Sequence, residues 1–393
     1  MKGKIKYLFK LFGIVLLILI ALELTLGILF NYNDNKRHDE NTQIKIASGA
    51  YDNIDLIIVT EIYNELHKLN SEWAQFVHFR LKAFKGKHIN IDDKGIRKTL
   101  NLSLKDSLNP IKIFCFGGST MLSTGARDEH TIPSELSKLI HKSFPDLSVK
   151  ITNFGCLGYN RSIENVQLQQ QLLQNNIPDI VLFYDGVNEV IAAHQNNKAG
   201  TPTNAINRQN EFQLAHDYSK RIKLFCTSSN INRFIVYLQR RIFKTKSFEV
   251  KNPEELAENI AYNYVKNIEL IKGIEQNYDF KVFNFLQPNI YSKTQHTEAE
   301  KKFVKQSSFY KELYTKSYDF IKKDATIIDD STFLDISNAF NNTTKTIYTD
   351  FCHTGEFGNL LIAERLFNSI KKELEIKKTK IENTQMEPTQ SFQ

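Results

Sequence analysis

The chain has 393 residues, of which 41% are hydrophobic and 24% are charged, and its formal net charge is +7. A hydrophobic share of this size is enough for a substantial core and excludes a globally disordered chain. Basic and acidic residues are interspersed, and no basic face is interleaved with aromatic side chains, so nucleic acid is not an expected partner.

The first predicted element is an apolar helix near the N-terminus. Residues 11–30 read LFGIVLLILIALELTLGILF, with Glu23 as their one charged side chain. A helix of that length spans about 30 Å, the thickness of the hydrocarbon region of a bilayer. Four lysines precede it and no small-residue cleavage site follows it. This favours an uncleaved single-pass anchor with a cytoplasmic N-terminus and an extracytoplasmic remainder over a signal peptide. The lysines are Lys2, Lys4, Lys6 and Lys10.

A carboxylate within lipid is costly, and Glu23 has two interpretations. It could mark a partner helix, or it could be protonated or reach the membrane interface by snorkelling. The second is the interpretation that we favour.

Between this anchor and the main domain, residues 31–43 are polar and predict a linker. Residues 51–86 carry helical apolar spacing, as in DLIIVTEIYNELHKL, and predict a membrane-proximal segment packed on the main domain. The expected organisation is a cytoplasmic stub with the anchor over residues 1–30, followed by a linker and membrane-proximal segment over residues 31–108.

From Pro110 the pattern changes to alternating strands and helices. The predicted strands are IKIFCFGGS, VKITNFG and DIVLFYDG, and the helices between them are TIPSELSKLIHKSF and NRSIENVQLQQQLLQNN. Short apolar runs that end in glycine are typical of buried parallel strands. The alternation predicts a parallel sheet covered by helices on both faces, in a domain over residues 109–378.

Residues 195–250 interrupt this rhythm and predict an insertion, either a lid or a surface helix pair. The rhythm resumes with the helix PEELAENIAYNYVKNIELIKGI and the strand KVFNFLQP. Later predicted elements are a long helix around Glu298 to Lys323, a strand near Thr326 to Ile328 and a last helix over about Glu356 to Lys378. Residues 379–393 are polar and predict a disordered tail.

The four cysteines form no CxxC pair, which gives a zinc site little support. Buried free thiols are favoured over a disulfide framework, although one bridge stays open for a domain outside the cytoplasm. The cysteines are Cys115, Cys156, Cys226 and Cys352. We expect no metal and no other cofactor.

Ser119 is the first residue that points to chemistry. It follows Gly117 and Gly118 directly after the first predicted strand of the sheet. Ligands of open α/β sheets bind at the carboxyl ends of strands, and a helix that begins at this serine would direct backbone N–H groups at it. Taken alone, the pattern also fits a turn glycine pair before a helix-capping serine.

Three further segments end or follow predicted strands in the same way. The second strand runs into NFGCLG at 153–158, and the third runs into GVNE at 186–189. The fourth segment is DFCH at 350–353, just before the last helix. Asp185, Glu189 and His194 are expected to be supporting hydrogen-bond partners, and Tyr159 and Asn160 to line the pocket or cap a helix.

These four segments, in this order, resemble the blocks of the SGNH (GDSL-like) hydrolase family. The resemblance covers about residues 110–375, and INIDDKGIRKT at 89–99 is similar to a segment that precedes the first block in membrane-anchored bacterial relatives. Gly118 stands where many members have Asp, and Glu189 stands where they have Asp. The resemblance implies a three-layer α/β/α fold with a flavodoxin-like parallel sheet.

The resemblance also implies the chemistry. Ser119 would be the nucleophile, His353 its general base and Asp350 the group that orients the imidazole. The backbone N–H groups of Ser119 and Gly158 and the side-chain amide of Asn188 would form an oxyanion hole. The sequence therefore predicts a serine esterase with an acyl-serine intermediate and an acylated glycan or lipid as its substrate.

Two other functions remain open at this stage. The same residues could transfer an acyl group to a cell-envelope polysaccharide, or the scaffold could bind glycans or proteins without catalysis. Turnover that depends on an acceptor would separate transfer from hydrolysis, and function without Ser119 would favour the binding protein. The sequence does not set the oligomeric state.

Overall fold

The computed structural model describes residues 2–46, 49–51, 54–105, 109–215, 217, 219, 226–242, 250 and 252–386. The chain divides into two compact units. Unit 1 comprises Met1–Ile44 and Asn204–Lys251, and unit 2 comprises Lys45–Thr203 and Asn252–Gln393.

Unit 1 is helical in its described part. Its helices are α1 (Lys2–Ile46, which ends two residues inside unit 2), α7 (Ala205–Ala215) and α8 (Asn230–Ile242). Within the part of the chain that the structure describes, Gly3–Thr42 is the helical stretch long and apolar enough to cross a membrane.

Unit 2 holds the remaining elements. Its helices are α2 (Leu56–Leu66), α3 (Ser119–Leu122), α4 (Ile132–Ser143), α5 (Arg161–Leu173), α6 (Val187–Asn196), α9 (Pro253–Tyr278), α10 (Glu298–Gln306), α11 (Ser308–Lys323) and α12 (Glu356–Met386). Its strands are β1 (Ser71–Ala74), β2 (His78–Leu81), β3 (Phe84–Lys85), β4 (Asn90–Ile91), β5 (Ile111–Gly117), β6 (Val149–Asn153), β7 (Ile180–Asp185), β8 (Lys281–Leu286) and β9 (Phe333–Asp335).

The central sheet is parallel and has the strand order β6-β5-β7-β8-β9. Numbered by their place in the chain, these strands run 2-1-3-4-5, the flavodoxin-like order, in which the chain reverses direction beside the first strand. Because all strands point the same way, their carboxyl ends share one edge of the sheet. The α/β class and the parallel sheet that the sequence predicted are therefore confirmed.

Alternate residues of β5 enter two different cores. Ile111, Ile113 and Cys115 pack with apolar side chains of α4 and α12 on one face. Phe114 and Phe116 pack with side chains of α5 and α9 on the other face. Successive side chains of a strand point to opposite faces, so this strand is buried on both sides and the domain has three layers.

Several sequence-based predictions about local structure are wrong. Residues 31–43 are helical, because α1 continues to Ile46 through a polar stretch that has no Gly or Pro to end it. Only Leu56–Leu66 of the segment 51–86 is helical, and β1 pairs with β2 in an antiparallel hairpin after it. The spacing of apolar residues predicted a helix over the whole segment, but pairing of the β1 and β2 backbones prevails over that local pattern after α2.

The C-terminal half contains three more differences. The helix predicted around 298–323 is divided into α10 and α11 at Ser307. The last strand is β9 at Phe333–Asp335 rather than 326–328, because its position is set by pairing with β8. Residues 379–386 of the predicted tail belong to α12, and 387–393 lie outside the described residues.

Candidate active site

Ser119 begins the short helix α3, immediately after β5 ends at Gly117. A side chain at position 117 would meet the Cβ atom of Met121 and the carbonyl oxygen of Tyr184, both at 2.6 Å. The turn from strand to helix therefore needs a residue without a Cβ atom. The result is a partly exposed hydroxyl at the carboxyl edge of the sheet.

The ring of His353 joins Ser119 to Asp350. Nε2 of His353 lies 2.7 Å from Oγ of Ser119, and Nδ1 lies 2.8 Å from Oδ2 of Asp350. The other carboxylate oxygen of Asp350 accepts the backbone N–H groups of Cys352 and His353 at 3.0 and 2.8 Å. The structure thus brings together three side chains from the segments that the sequence singled out. Ser119 and His353 are 234 residues apart in the chain.

The electrostatic surroundings keep Asp350 ionised. Burial alone would raise the pKa of this carboxyl group, but His353, Lys45 and the backbone N–H of Cys352 lower it well below its usual range. Burial is the main cause that raises the pKa of the neighbouring Cys352 thiol, and the negative charge of Asp350 raises it further. The imidazole therefore faces a carboxylate and a neutral thiol.

Asn188 lies beside the turn that carries Ser119. It is the second residue of α6, which begins after β7, and its side-chain amide donates a hydrogen bond to the carbonyl oxygen of Tyr159 at 2.6 Å. A Cβ atom at Gly118 would lie only 2.0 Å from Nδ2 of Asn188. Gly158, the residue before Tyr159, has a φ of +70°, which favours glycine. Residues 118, 158 and 188 are therefore neighbours at one rim of the sheet.

Two side chains hold α3 in place from outside. The amide of Asn153 donates to the carbonyl of Met121 at 3.2 Å, and its oxygen accepts the N–H of Gly155 at 2.9 Å. Arg97 is buried and donates to three carbonyl groups of the turn after α3, at 2.6–2.9 Å. These carbonyls belong to Leu122, Ser123 and Ala126. The sequence had drawn attention to both segments but had given neither side chain a role.

Lys45 approaches the same site from the end of α1. Its ammonium nitrogen lies 3.5 Å from Oδ2 of Asp350 and 5.2 Å from the ring centroid of Tyr63. Tyr63 shares a 2.9 Å hydrogen bond with Tyr51, whose hydroxyl donates to the carbonyl of Gly125. No sequence signal pointed to Lys45, which lies just after the stretch 31–43 that the sequence predicted as a polar linker.

A buried polar cluster lies behind Asn188. The carboxylate of Glu189 accepts the backbone N–H groups of Gly186 at 2.8 Å and Arg161 at 2.6 Å, so it ties the first turns of α5 and α6 together. Arg161 pairs with Asp185 at 3.1 Å. Burial, and then the charge of Asp185, raises the pKa of Glu189 and of Glu164. Asp185 and Glu189 accept hydrogen bonds, as the sequence led us to expect.

His194 packs against aromatic rings of α11, and the hydrogen-bonding role expected of it stays a prediction. Its ring lies 4.8 Å from that of Tyr310, which also packs on Phe351 at 5.7 Å between centroids. Burial lowers the pKa of His194. Aromatic rings therefore pack against the loop that carries His353, and the exposed Phe309 packs on Tyr310.

Asp350, Cys352 and His353 offer ligand atoms within 4.8 Å of one another, a grouping that can bind a metal ion. Both ring nitrogens of His353 are already engaged, with Asp350 and with Ser119. Metal binding at this place would have to break that chain of hydrogen bonds, so the arrangement suits proton transfer better than coordination.

Two cavities of about 380 and 600 Å³ lie elsewhere in unit 2, and neither is lined by Ser119, Asn188 or His353. The smaller one contains Arg127 and Glu356, which pair with each other at 2.7 Å.

No protein-family model matches this chain, and no curated protein matches it. Solved structures similar to it include an acetyl xylan esterase, with 16% identity over 66% of this chain and 100% of that chain, at a TM-score of 0.36. An acetylxylan esterase from Geobacillus stearothermophilus has 14% identity over 66% and 93%, at a TM-score of 0.33. A lipase from a goat rumen metagenome has 11% identity over 66% and 97%, at a TM-score of 0.39. At these identities and TM-scores the likeness assigns no activity to this chain.

Proposed function

We propose that this protein is a membrane-anchored serine esterase of the SGNH type, with Ser119 as nucleophile. The observation that carries the proposal is the continuous chain of hydrogen bonds from Oγ of Ser119 through His353 to Asp350, at 2.7 and 2.8 Å. A serine hydroxyl needs a base within hydrogen-bond reach to attack an ester, and this geometry supplies one.

In the first half of the reaction, Oγ of Ser119 attacks the ester carbonyl carbon while Nε2 of His353 takes the hydroxyl proton. The tetrahedral oxyanion is stabilised by the backbone N–H groups of Ser119 and Gly158 and by the amide of Asn188. His353 then gives its proton to the leaving alcohol as the carbon–oxygen bond breaks, which leaves an acyl-serine.

In the second half, water replaces the alcohol. His353 removes a proton from water as the water oxygen attacks the acyl carbon, and a second oxyanion forms. When this oxyanion collapses, the bond from the acyl carbon to Oγ of Ser119 breaks, His353 returns its proton to Oγ, and the carboxylic acid is released. Asp350 stays ionised throughout, because it orients the imidazole and stabilises its positive charge rather than accepting its proton.

The location and the substrate follow from the anchor. The apolar helix and the lysines before it support an extracytoplasmic catalytic domain on a single-pass membrane protein. A domain in that position meets acylated glycans and lipids of the envelope, so an O-acyl ester of one of these is the proposed substrate. Aromatic side chains beside the loop of His353 suit contact with a sugar ring or an acyl chain.

The test is esterase activity of the full-length chain in detergent against acylated model esters and acetylated sugars. We expect Ser119→Ala to lower kcat by at least about 1,000-fold and to abolish labelling by a fluorophosphonate probe. Ser162→Ala is the matched control, because Ser162 lies in the same unit but contacts Asn267 rather than an imidazole.

Undiminished turnover in a folded Ser119→Ala protein, or probe labelling that persists in it, contradicts the proposal. An added alcohol acceptor distinguishes the two fates of the acyl group. Product formation that requires the acceptor would indicate acyl transfer on the same residues.

A further inference from the structure

Glu23 interrupts the apolar run of α1, and within unit 1 its carboxylate has a partner. One oxygen accepts the backbone N–H of Asn230 at 2.6 Å, and the other accepts the N–H of Ile231 at 3.0 Å. The side-chain amide of Asn230 also donates to the carbonyl oxygen of Glu23 at 3.3 Å. Glu23 therefore contacts a second helix, the interpretation that the sequence analysis did not favour, and its protonation state stays a prediction.

These N–H groups belong to the first turn of α8. The first N–H groups of a helix have no partner within it, and the helix end carries partial positive charge. The carboxylate of Glu23 therefore accepts hydrogen bonds that the first N–H groups of α8 would otherwise lack, and these N–H groups stabilise a carboxylate in an apolar segment. The contact joins residues 207 positions apart.

The contact also fixes where α8 begins along α1. Glu23 lies seven residues before Phe30, the last residue of the apolar run, which is about 10 Å along a helix axis. One turn into α8, Arg233 pairs with Asp34 at 2.9 Å, and its guanidinium lies 4.2 Å from the ring centroid of Phe30. The start of α8 therefore lies beside the last part of the apolar run, and its side chains reach the polar residues just beyond.

Neighbouring apolar side chains of α8 are exposed. Phe234, Ile235 and Leu238 recur at helical spacing, and they are 37%, 46% and 38% exposed. The sequence from Arg240 onward reads RRIFKTK, so the apolar stripe is followed by basic residues. This combination is typical of helices that lie at a membrane interface.

We propose that α8 is a second membrane-contacting element, which docks on α1 through Glu23 and Asp34 and buries Phe234, Ile235 and Leu238 in lipid. The proposal rests on the membrane location of α1 and not on the esterase chemistry. A helix that begins beside an apolar membrane-spanning run exposes its outward side chains to acyl chains, and an apolar stripe suits that environment. The basic residues that follow suit anionic headgroups.

The experiment uses the full-length chain with Cys226→Ser, because Cys226 is exposed and the other three cysteines are buried. Single cysteines are placed at Ile235, Leu238 or Val236 and labelled with an environment-sensitive fluorophore. The proteins are reconstituted in vesicles of phosphatidylcholine and phosphatidylglycerol that contain doxyl-labelled lipid. Val236→Cys is the matched control, since at 100° per residue Val236 points about 150° away from the middle of the stripe formed by Phe234, Ile235 and Leu238.

We expect the doxyl lipid to quench the labels at 235 and 238 at least about twofold more than the label at 236. Adding Glu23→Ala should reduce that difference, because α8 loses its docking partner on α1. Equal quenching at the three positions contradicts the proposal. Cross-linking of position 235 between two copies without lipid quenching also contradicts it, and would make the stripe a self-association surface.

None of these readouts depends on ester hydrolysis. A lost quenching pattern in a protein that still hydrolyses esters rejects the second membrane contact alone. An inactive protein that keeps the quenching pattern rejects the esterase alone.

Discussion

At the scale of single residues, Gly118 occupies a position where a side chain would disturb the amide of Asn188. A Cβ atom there would lie 2.0 Å from Nδ2 of Asn188 and 3.1 Å from the carbonyl oxygen of Tyr159. The nearer obstacle is the end of a flexible side chain, so the chain can avoid the clash by moving Asn188 rather than by unfolding.

We therefore expect Gly118→Ala to lower kcat on a model ester by roughly 100-fold, the usual effect of losing one oxyanion donor, with little change in Tm. Gly273→Ala is the control, because a Cβ atom at Gly273 meets nothing within 4 Å. It should keep full activity and gain about 0.5–1 kcal/mol of stability. Steady-state kinetics measure kcat, and thermal unfolding measures Tm, for both variants. Full activity of Gly118→Ala would contradict a role for Asn188 as an oxyanion donor.

At the scale of elements, the end of α1 contacts the loop that precedes α12. Lys45 lies 3.5 Å from Oδ2 of Asp350, the oxygen that also faces His353. Burial raises the pKa values of the neighbouring Tyr63 and Cys352, so both are neutral near pH 7. While the imidazole of His353 is neutral, Lys45 supplies the positive charge next to the carboxylate of Asp350.

Replacing Lys45 by Met should lower kcat/KM about fivefold, on the order of 1 kcal/mol for a partly exposed pair. The reason is positional, because the ammonium group of Lys45 holds Oδ2 of Asp350 where it faces His353. Lys45→Arg keeps the charge and should restore the rate. A loss of the same size in Lys45→Arg would reduce Lys45 to a packing role.

At the scale of the whole molecule, the buried carboxyl of Glu164 makes global stability depend on pH. Burial, then Asp185 and Glu189, raises the pKa of Glu164 well above its usual range. A group whose pKa is raised in the folded state contributes stability that is complete below the pKa in the unfolded chain. That stability is lost as pH rises towards the pKa in the folded chain.

We therefore expect Glu164→Gln to unfold at nearly the wild-type free energy near pH 4.5 and to become progressively more stable than the wild type as pH rises. The gain should be about 1.4 kcal/mol for each pH unit over which only the unfolded chain ionises. Glu375→Gln is the control, because Glu375 is exposed on α12 and its replacement should give no such trend. Denaturant unfolding between pH 5 and 8 measures both, and a flat difference for Glu164→Gln would contradict the prediction.

The sequence by itself determined the α/β class, the parallel sheet and the neighbourhood of the candidate site. Alternating apolar strands and amphipathic helices are local patterns, read over a few residues. Parallel strands also share one carboxyl edge, so a serine after β5 and an asparagine after β7 had to be neighbours. The resemblance to a known set of motifs added Asp350 and His353, whose chemical roles stay a proposal.

Only the tertiary structure decided which charged groups meet. Lys45 beside Asp350, Arg97 on the carbonyls after α3, and Glu23 at the start of α8 join segments far apart in the chain. The same is true of β9, which forms where β8 offers a free edge. Such contacts cannot be predicted from the periodicity of the sequence, because an ion pair or a helix cap needs only one residue in each of two segments. The reason lies in three-dimensional packing, where burying a charge or a helix end requires a partner from wherever the chain supplies one.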